Sequence, residues 1–236
     1  MAINIDTVYQ RVLAISNKEQ RGYITPLEFN LMANQAQLDI FNQYFYDLGQ
    51  FNRLPKYDME YSDSVAFIEE KMSIFKQYNQ NVIASASNVF TLSTELYQIG
   101  DVYHTISGKN YIVEQTSKKE LIRDQSSPLA KPTTTRPVYV YTNPSGDKIE
   151  VHPSTITSGI TYNYIKKPAD VSWGYTIINN ETLYNSNTAV DFELHDSEET
   201  VLVIKILATA GIIIKDPTLY QISSQEEVKN VQQEKA

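Results

Sequence analysis

Three histidines, His104, His152 and His195, are the first side chains to question, because imidazole serves as acid, base or metal ligand near neutral pH. They are scattered through the 236 residues, and none forms an i,i+3 or i,i+4 pair with another ligand type on a helix. His104 and His152 fall in expected strands and His195 just ahead of an expected helix, where core, strand-surface and capping roles account for them. Ser107-Gly108-Lys109 lacks the upstream glycines and the following hydroxyl residue of a phosphate loop, and Gly108 suits a hairpin turn better. There is no Gly-x-Ser-x-Gly, no His-Glu-x-x-His and no cysteine nucleophile. The acid pairs Glu69-Glu70 and Glu198-Glu199 fall on helix surfaces or at a helix start, where solvation and the helix dipole explain them. Carboxylates brought together only by folding stay open. The expectation is a protein that is not an enzyme, with no catalytic residue, no cofactor and no metal.

The absence of cysteine also excludes disulfides and thiolate metal sites, and a reducing compartment is compatible with it. The first residues carry no basic stretch followed by a long apolar one, so a secretory signal is not expected. The densest apolar run, Val201 to Ile214, is interrupted by Lys205 and falls short of the ~20 residues that cross a bilayer, so it reads as a buried helix without a membrane role. The formal charge is −8. That balance disfavours a surface held to nucleic acid by phosphate contacts and would suit a surface that DNA slides past, although ordinary solubility charge is the commoner reason for it.

Helices bracket the chain. The first covers roughly residues 6–16, with Val8, Val12 and Ile15 in helical spacing. Thr25-Pro26-Leu27-Glu28 opens the second with the strongest start signal present: Thr at the N-cap, Pro at the first helical position, Glu three residues on. Two apolar rows run down that helix, one through Leu27, Leu31, Leu38, Phe41, Phe45 and Leu48, the other through Met32, Ala36, Ile40 and Tyr44. Rows so wide imply burial on more than one side, among helices or against a neighbouring subunit. A third helix carries Val65, Ile68, Met72 and Phe75 on one face, with Glu69, Glu70 and Lys71 largely off it.

From residue 81 the composition turns β-like. Val102–Ile106 is expected to pair with Tyr111–Gln115 across residues 107–110. Ser117-Lys118-Lys119-Glu120 is a second capping box. Val138–Tyr141, Lys148–His152 and Ile160–Ile165 alternate and are separated by turn residues, which predicts an antiparallel meander. Residues 173–178 and 181–184 read as a hairpin, and Asp196-Ser197-Glu198-Glu199 opens a last helix ending near Ile214. The tail from 223 reads as a frayed helix or as an arm that orders on a partner. The resulting expectation is an α+β protein, with N- and C-terminal helices packed as a bundle around an inserted antiparallel β domain. Its bounds are residues 1–80 and 190–215 for the helices, 81–189 for the β platform and 216–236 for the tail.

Charge is unevenly spread: residues 191–236 hold nine acids and four bases, a balance of −5, whereas residues 81–190 hold nine of each. The basic concentration is Lys118, Lys119, Arg123, Lys131 and Arg136, with Lys166 and Lys167 further along. These cations read as solvated loop charge, or as a contact to DNA phosphate or to an acidic protein rim. Seventeen tyrosines, with eight Phe and one Trp, suit protein–protein contact, since Tyr offers a large face with few rotamers to freeze.

The run Phe90-Thr91-Leu92-Ser93-Thr94-Glu95-Leu96-Tyr97-Gln98-Ile99-Gly100-Asp101-Val102 resembles a strand, turn and strand that open the β domain of phage adaptors. Arg136-Pro137-Val138-Tyr139, Gly146-Asp147-Lys148-Ile149-Glu150-Val151-His152-Pro153 and Tyr162-Asn163-Tyr164-Ile165-Lys166-Lys167-Pro168, with Trp173, look like the platform of the same proteins. Phe192-Glu193-Leu194-His195-Asp196-Ser197-Glu198-Glu199 is similar to the approach to their closing helix. The family so resembled, over most of the chain, is the head-to-tail connector or tubular-protein-A-like adaptor of short-tailed bacteriophages. The nearest look is to ring proteins of crAss-like phages.

The resemblance implies a structural protein of the virion neck, made in the host cytoplasm and assembled at the head–tail junction. It would form a homo-oligomeric ring, a dodecamer, between the portal protein and adjacent ring or tail hub proteins. Genomic double-stranded DNA would pass through the lumen without sequence-specific binding. Lys118, Lys119, Arg123, Lys131, Arg136, Tyr139, Tyr141 and Tyr164 are the candidate interface residues, with a neighbouring ring expected opposite the cations. Leu219, Tyr220 and Ile222 are the apolar anchors of a C-terminal segment reaching towards the portal. Two other classes compete: a tail-associated carbohydrate- or receptor-binding module, supported by the Tyr-rich β region, and a cell-wall hydrolase, which requires a cleft with two acids.

Overall fold

The computed structural model describes residues 3–18, 24–51, 59–142, 148–179 and 181–213, together with 225, 228 and 229. In chain order the elements are α1 (Ile5–Lys18), α2 (Pro26–Phe51), α3 (Met59–Ser73), β1 (Lys76–Asn81), β2 (Ile83–Ala86), β3 (Val89–Thr91), β4 (Leu96–Ile106) and β5 (Lys109–Gln115). They continue with α4 (Lys118–Gln125), β6 (Val138–Tyr141), β7 (Lys148–His152), β8 (Ile160–Lys166), β9 (Tyr175–Ile178), β10 (Glu181–Tyr184) and α5 (Glu199–Ile213). The chain divides into two units, Phe75–Lys167 and the flanking pair Met1–Ile74 with Pro168–Ala236.

The middle unit is a mixed eight-stranded sheet in the order β1-β8-β4-β5-β6-β7-β3-β2. Its outermost strands are consecutive in the chain, for β1 ends at Asn81 and β2 begins at Ile83. One bent stretch therefore supplies both ends of the order, and the sheet curls into a half-barrel. Phe90, Val102, Val113, Ile149, Val151, Ile160 and Tyr162 are buried together in its core, the small-barrel pattern of side chains filling the interior. Tyr162 and Tyr164 stack at 5.2 Å between ring centres, and Tyr162 Oη accepts a 2.9 Å hydrogen bond from Ser93 N. The hairpin β4–β5 closes on two residues, Ser107 and Gly108, both with positive φ (49° and 78°), and Ile106 pairs with Lys109. Glycine at the second position relieves the steric cost of that left-handed pair.

In the flanking unit α2 packs against α5 and α3, and α1 packs against α5. The capping box at the start of α2 forms as its residues predict: Thr25 N donates to Glu28 Oε2 at 2.9 Å and Glu28 N to Thr25 Oγ1 at 3.3 Å. Helix α2 also binds extended chain. Asn34 accepts from Val171 N at 2.8 Å and donates to Val171 O at 2.9 Å, Asn30 accepts from Trp173 N at 2.7 Å, and Gln37 joins Ala169 O and Glu193 N. Trp173 lies against Tyr9 with ring centres 4.5 Å apart, and Tyr9 against Phe29 at 4.7 Å. Gly174 is required by close approach, since a Cβ there would lie 2.3 Å from Thr188 Oγ1 and 2.6 Å from Ala189 N.

The expected α+β arrangement, terminal helices bundled around an inserted antiparallel domain, does not form. The protein is mixed α/β with the curled sheet dominant, and two physical reasons stand out. The buried Gln37 and the half-buried Asn30 and Asn34 of α2 bind extended segments, and Ile3 bridges Phe192, so strand-like chain is built into the helical unit. The sheet is also not antiparallel throughout. β5 and β6 run parallel, Glu114 pairing with Val138 and Gln115 with Tyr139, because residues 116–137 are long enough to cross over. The expected meander fails with it, for β7 pairs with β6 but β8 pairs with β4 and β1 at the other side of the order. β1 is not marked in the sequence, because Lys-Gln-Tyr-Asn-Gln-Asn offers no alternation.

Candidate interaction surface

The crossover between β5 and β6 carries the cations singled out in the sequence. Its helix starts where Ser117 Oγ accepts from Glu120 N at 3.2 Å while Glu120 Oε2 accepts from Ser117 N at 3.2 Å. The Ser117 hydroxyl also donates to Glu120 Oε2 at 2.8 Å, and this bond most, with the one from Ser117 N, holds the Glu120 carboxyl below the ordinary carboxylate range. Leu121 alone of α4 is buried, which pins the helix by one apolar contact and leaves Lys118, Lys119 and Arg123 exposed. Arg123 Nε stands 3.7 Å from Asp124 Oδ1, a loose pairing at an exposed site worth at most about 1 kcal/mol.

The loop that follows is fixed from below. His104, buried on β4, has its Nδ1 3.3 Å from Thr134 O. Thr133 and Arg136 exchange backbone hydrogen bonds at 3.2 and 3.1 Å, and Thr116 N donates to Tyr139 O at 2.9 Å. A recess of about 190 Å³ lies here, lined among others by Ile112, Glu114, Asp124, Lys131, Arg136 and Pro137. Lys131 and Arg136 are therefore brought together with the α4 end of the crossover. Lys166 and Lys167 lie at the end of β8, where Lys167 N donates to Glu95 O at 2.8 Å.

The tyrosines take a different place. Tyr139 is buried inside the curled sheet, and burial, with Tyr141 next to it, pushes its hydroxyl up to about 12. Tyr141 is half-buried, its ring 5.8 Å from that of Tyr139 and its hydroxyl also raised by burial. Tyr164 is buried in the stack with Tyr162. These rings hold the sheet together and face the core. Leu219, Tyr220 and Ile222 lie outside the described residues.

Three apolar residues with no periodicity to mark them in the sequence complete the crossover surface. Ile112 on β5, Ile122 on α4 and Leu129 in the loop are all exposed, Leu129 at 93%. The signal was present in Pro128-Leu129-Ala130-Lys131-Pro132, where two prolines stiffen a loop that holds a single large apolar side chain. The flanking unit leaves apolar surface uncovered too. One row of α2 (Met32, Ala36, Ile40 and Tyr44) is buried, whereas in the other Leu27 and Leu31 are 64% and 68% exposed and Leu38 and Phe45 half-buried. Glu28, Gln35 and Asp39 are exposed on the same helix, which contains no cation.

No protein-family model matches this chain, and neither does any curated protein. The chemistry has to be read from the surfaces themselves.

Among the described residues no group of three or more His, Asp or Glu is placed to hold a metal ion, and no helix is long and apolar enough to cross a membrane. His195 caps a short 3-10 turn (Asp196–Glu198), its Nδ1 accepting from Ser197 N at 3.3 Å. Glu198, read as a solvated helix-start acid, is instead buried and salt-bridged to Lys71 at 2.6 Å. Lys71 Nζ also sits 4.5 Å from the centre of the Phe67 ring, so this lysine is a packed element of the flanking unit rather than a surface charge. A second concavity of about 390 Å³ is lined by Gln80, Asn81, Thr91, Leu92, Ser93, Tyr162 and Tyr164. Its tyrosines are only 3% and 8% exposed, so neither gives a sugar ring an open face to stack on.

Proposed function

We propose that this chain is a structural subunit of a ring in the neck of a phage virion, set between portal and tail. The ring extends the DNA channel and docks the next tail component. The observation that carries the reading is apolar surface left uncovered on ordered elements: Leu27 and Leu31 on α2, and Leu129 on the crossover. A chain on its own gains by covering such side chains, each worth roughly 1.5–3 kcal/mol when fully buried. Their exposure on rigid, capped elements suits burial against another subunit. The resemblance of Phe90–Val102, Arg136–Trp173 and Phe192–Glu199 to head-to-tail connectors points the same way.

The mechanism under this reading is passive. Attachment to the portal gathers the subunits, ring closure buries the exposed rows, and the lumen conducts double-stranded DNA during packaging and ejection. The formal charge of −8 suits a conduit from which phosphate is repelled rather than held. The copy number taken from the resemblance is twelve, matching a dodecameric portal.

Electron microscopy of the purified full-length chain mixed with the portal of its virion tests this. Closed rings of portal symmetry are the expected result. A monodisperse monomer that ignores the portal and binds a saccharide overturns the reading in favour of a receptor-binding module.

A further inference from the structure

We infer that the crossover surface of one copy docks onto the outer face of α2 in the next copy, so that the ring is built by one heterologous, head-to-tail contact. This deepens the proposed ring role and rests on it. The first support is charge. Residues 75–167 carry ten cations and seven acids, a balance of +3, while the flanking unit carries ten cations and twenty-one acids, a balance of −11. A chain polarised in this way repels like units of its copies and attracts unlike ones, which favours a contact between two different patches over a self-complementary one.

The second support is that each patch pairs the same kind of apolar anchor with a rim in which one sign predominates. On the crossover, the exposed Leu129 and Ile122 share the segment with the exposed cations Lys118, Lys119, Arg123 and Lys131, which outnumber its acids Glu120 and Asp124. On α2, Leu27 and Leu31 are exposed, with Glu28 next to Leu27 and Asp39 about two turns beyond Leu31, and no lysine or arginine occurs anywhere along that helix. The Glu28 carboxyl is held below the ordinary range by its hydrogen bonds to Thr25, so it is an anion at neutral pH. Both patches are also preorganised, α2 by its capping box and the crossover by the capping box of α4 and the His104 contact to Thr134. Rigid anchors lose little conformational freedom on docking. Apolar anchors at the centre with oppositely charged rims give the usual anatomy of a specific interface. A patch free to slide on DNA would have no use for a leucine at 93% exposure between two prolines.

The test uses the absence of cysteine from the chain. Leu31→Cys and Leu129→Cys are introduced singly and together into the full-length protein, assembled with the portal and oxidised with diamide. A mixture of the two single variants is expected to give a covalent dimer, and the double variant a ladder of higher oligomers. Each single variant alone is expected to stay uncrosslinked. In parallel, Lys118→Glu/Lys119→Glu/Arg123→Glu should weaken assembly more than about 30-fold, and Gln35→Lys/Asp39→Lys should weaken it comparably, with mixing of the two variants restoring it. All five positions are exposed, and unchanged circular dichroism and melting check the fold.

If the wild type assembles but the double variant gives no ladder, or Leu129→Cys crosslinks to itself, the head-to-tail contact is overturned and the ring reading stands. If the triple reversal leaves assembly intact and instead abolishes retention of duplex DNA, the cations serve DNA and the inference fails. A wild type that assembles neither alone nor with the portal sinks the ring reading and this contact together.

Discussion

Within residues 75–167, order comes mostly from backbone ladders between neighbouring strands and from one apolar interior. In the flanking unit it comes from side chains reaching far along the sequence: Asn34 to Val171, Asn30 to Trp173, Trp173 Nε1 to Asp6 at 2.9 Å, and Lys71 to Glu198. The first kind of order needs alternation and turns, so many substitutions are tolerated on its outer face. The second needs particular polar groups at particular positions, and loss of one strands its partner in a buried place. The two units should therefore break differently.

The largest expected difference is at the buried ion pair. Lys71→Met leaves Glu198 as a buried acid without this partner and should cost about 3–5 kcal/mol in urea unfolding, with Lys71→Met/Glu198→Met recovering most of it. If the single and double variants are equally unstable, the pair is not what holds α3 to the start of α5. Asn34→Ala comes next, at roughly 1–3 kcal/mol, because it removes the partners of both Val171 backbone groups. The matched change on the sheet surface, Thr105→Ala, should stay within about 0.5 kcal/mol. Equal losses at these two positions would erase the contrast between the units.

The caps sharpen the comparison from the other side, because the same local device is found in both units. Thr25→Ala and Ser117→Ala should each cost about 1 kcal/mol, measured as the shift in unfolding midpoint. The smallest effect is in pH. Glu28 and Glu120 both have folded carboxyls held below the ordinary range, chiefly by the hydroxyls of Thr25 and Ser117. A depressed folded value means that the stabilisation is fully present above the unfolded pKa and is lost as pH falls through the folded one. The deficit of Thr25→Ala should therefore shrink on the acid side of the ordinary carboxylate range, and a deficit that stays constant down to that pH would remove the carboxylate from the cap.

Local signals were legible in the sequence in both units. The two capping boxes, the Ser107-Gly108 turn and the apolar α5 could be read because each depends on residues a few positions apart. What stayed hidden depends on partners far away in the chain. Lys71 reads as a surface lysine until Glu198 lies against it, and Tyr139 and Tyr164 read as interface tyrosines until the sheet curls over them. The parallel pairing of β5 with β6 was hidden for a related reason: alternation marks a strand but not its direction or its neighbour. Of the candidate surface, the cations could be seen as a cluster, whereas Ile112, Ile122 and Leu129 gained meaning only from their exposure.

That exposure is also where the account is most directly open to measurement. Hydroxyl-radical footprinting of the full-length chain, before and after assembly with its portal, reports side-chain access residue by residue. The account predicts that oxidation of Leu31 and Leu129 falls several-fold together on assembly, while Ile177 on β9, 67% exposed and assigned to neither patch, reacts unchanged. Undiminished reaction at Leu31 and Leu129 in a closed ring, with protection at Ile177 instead, would contradict it.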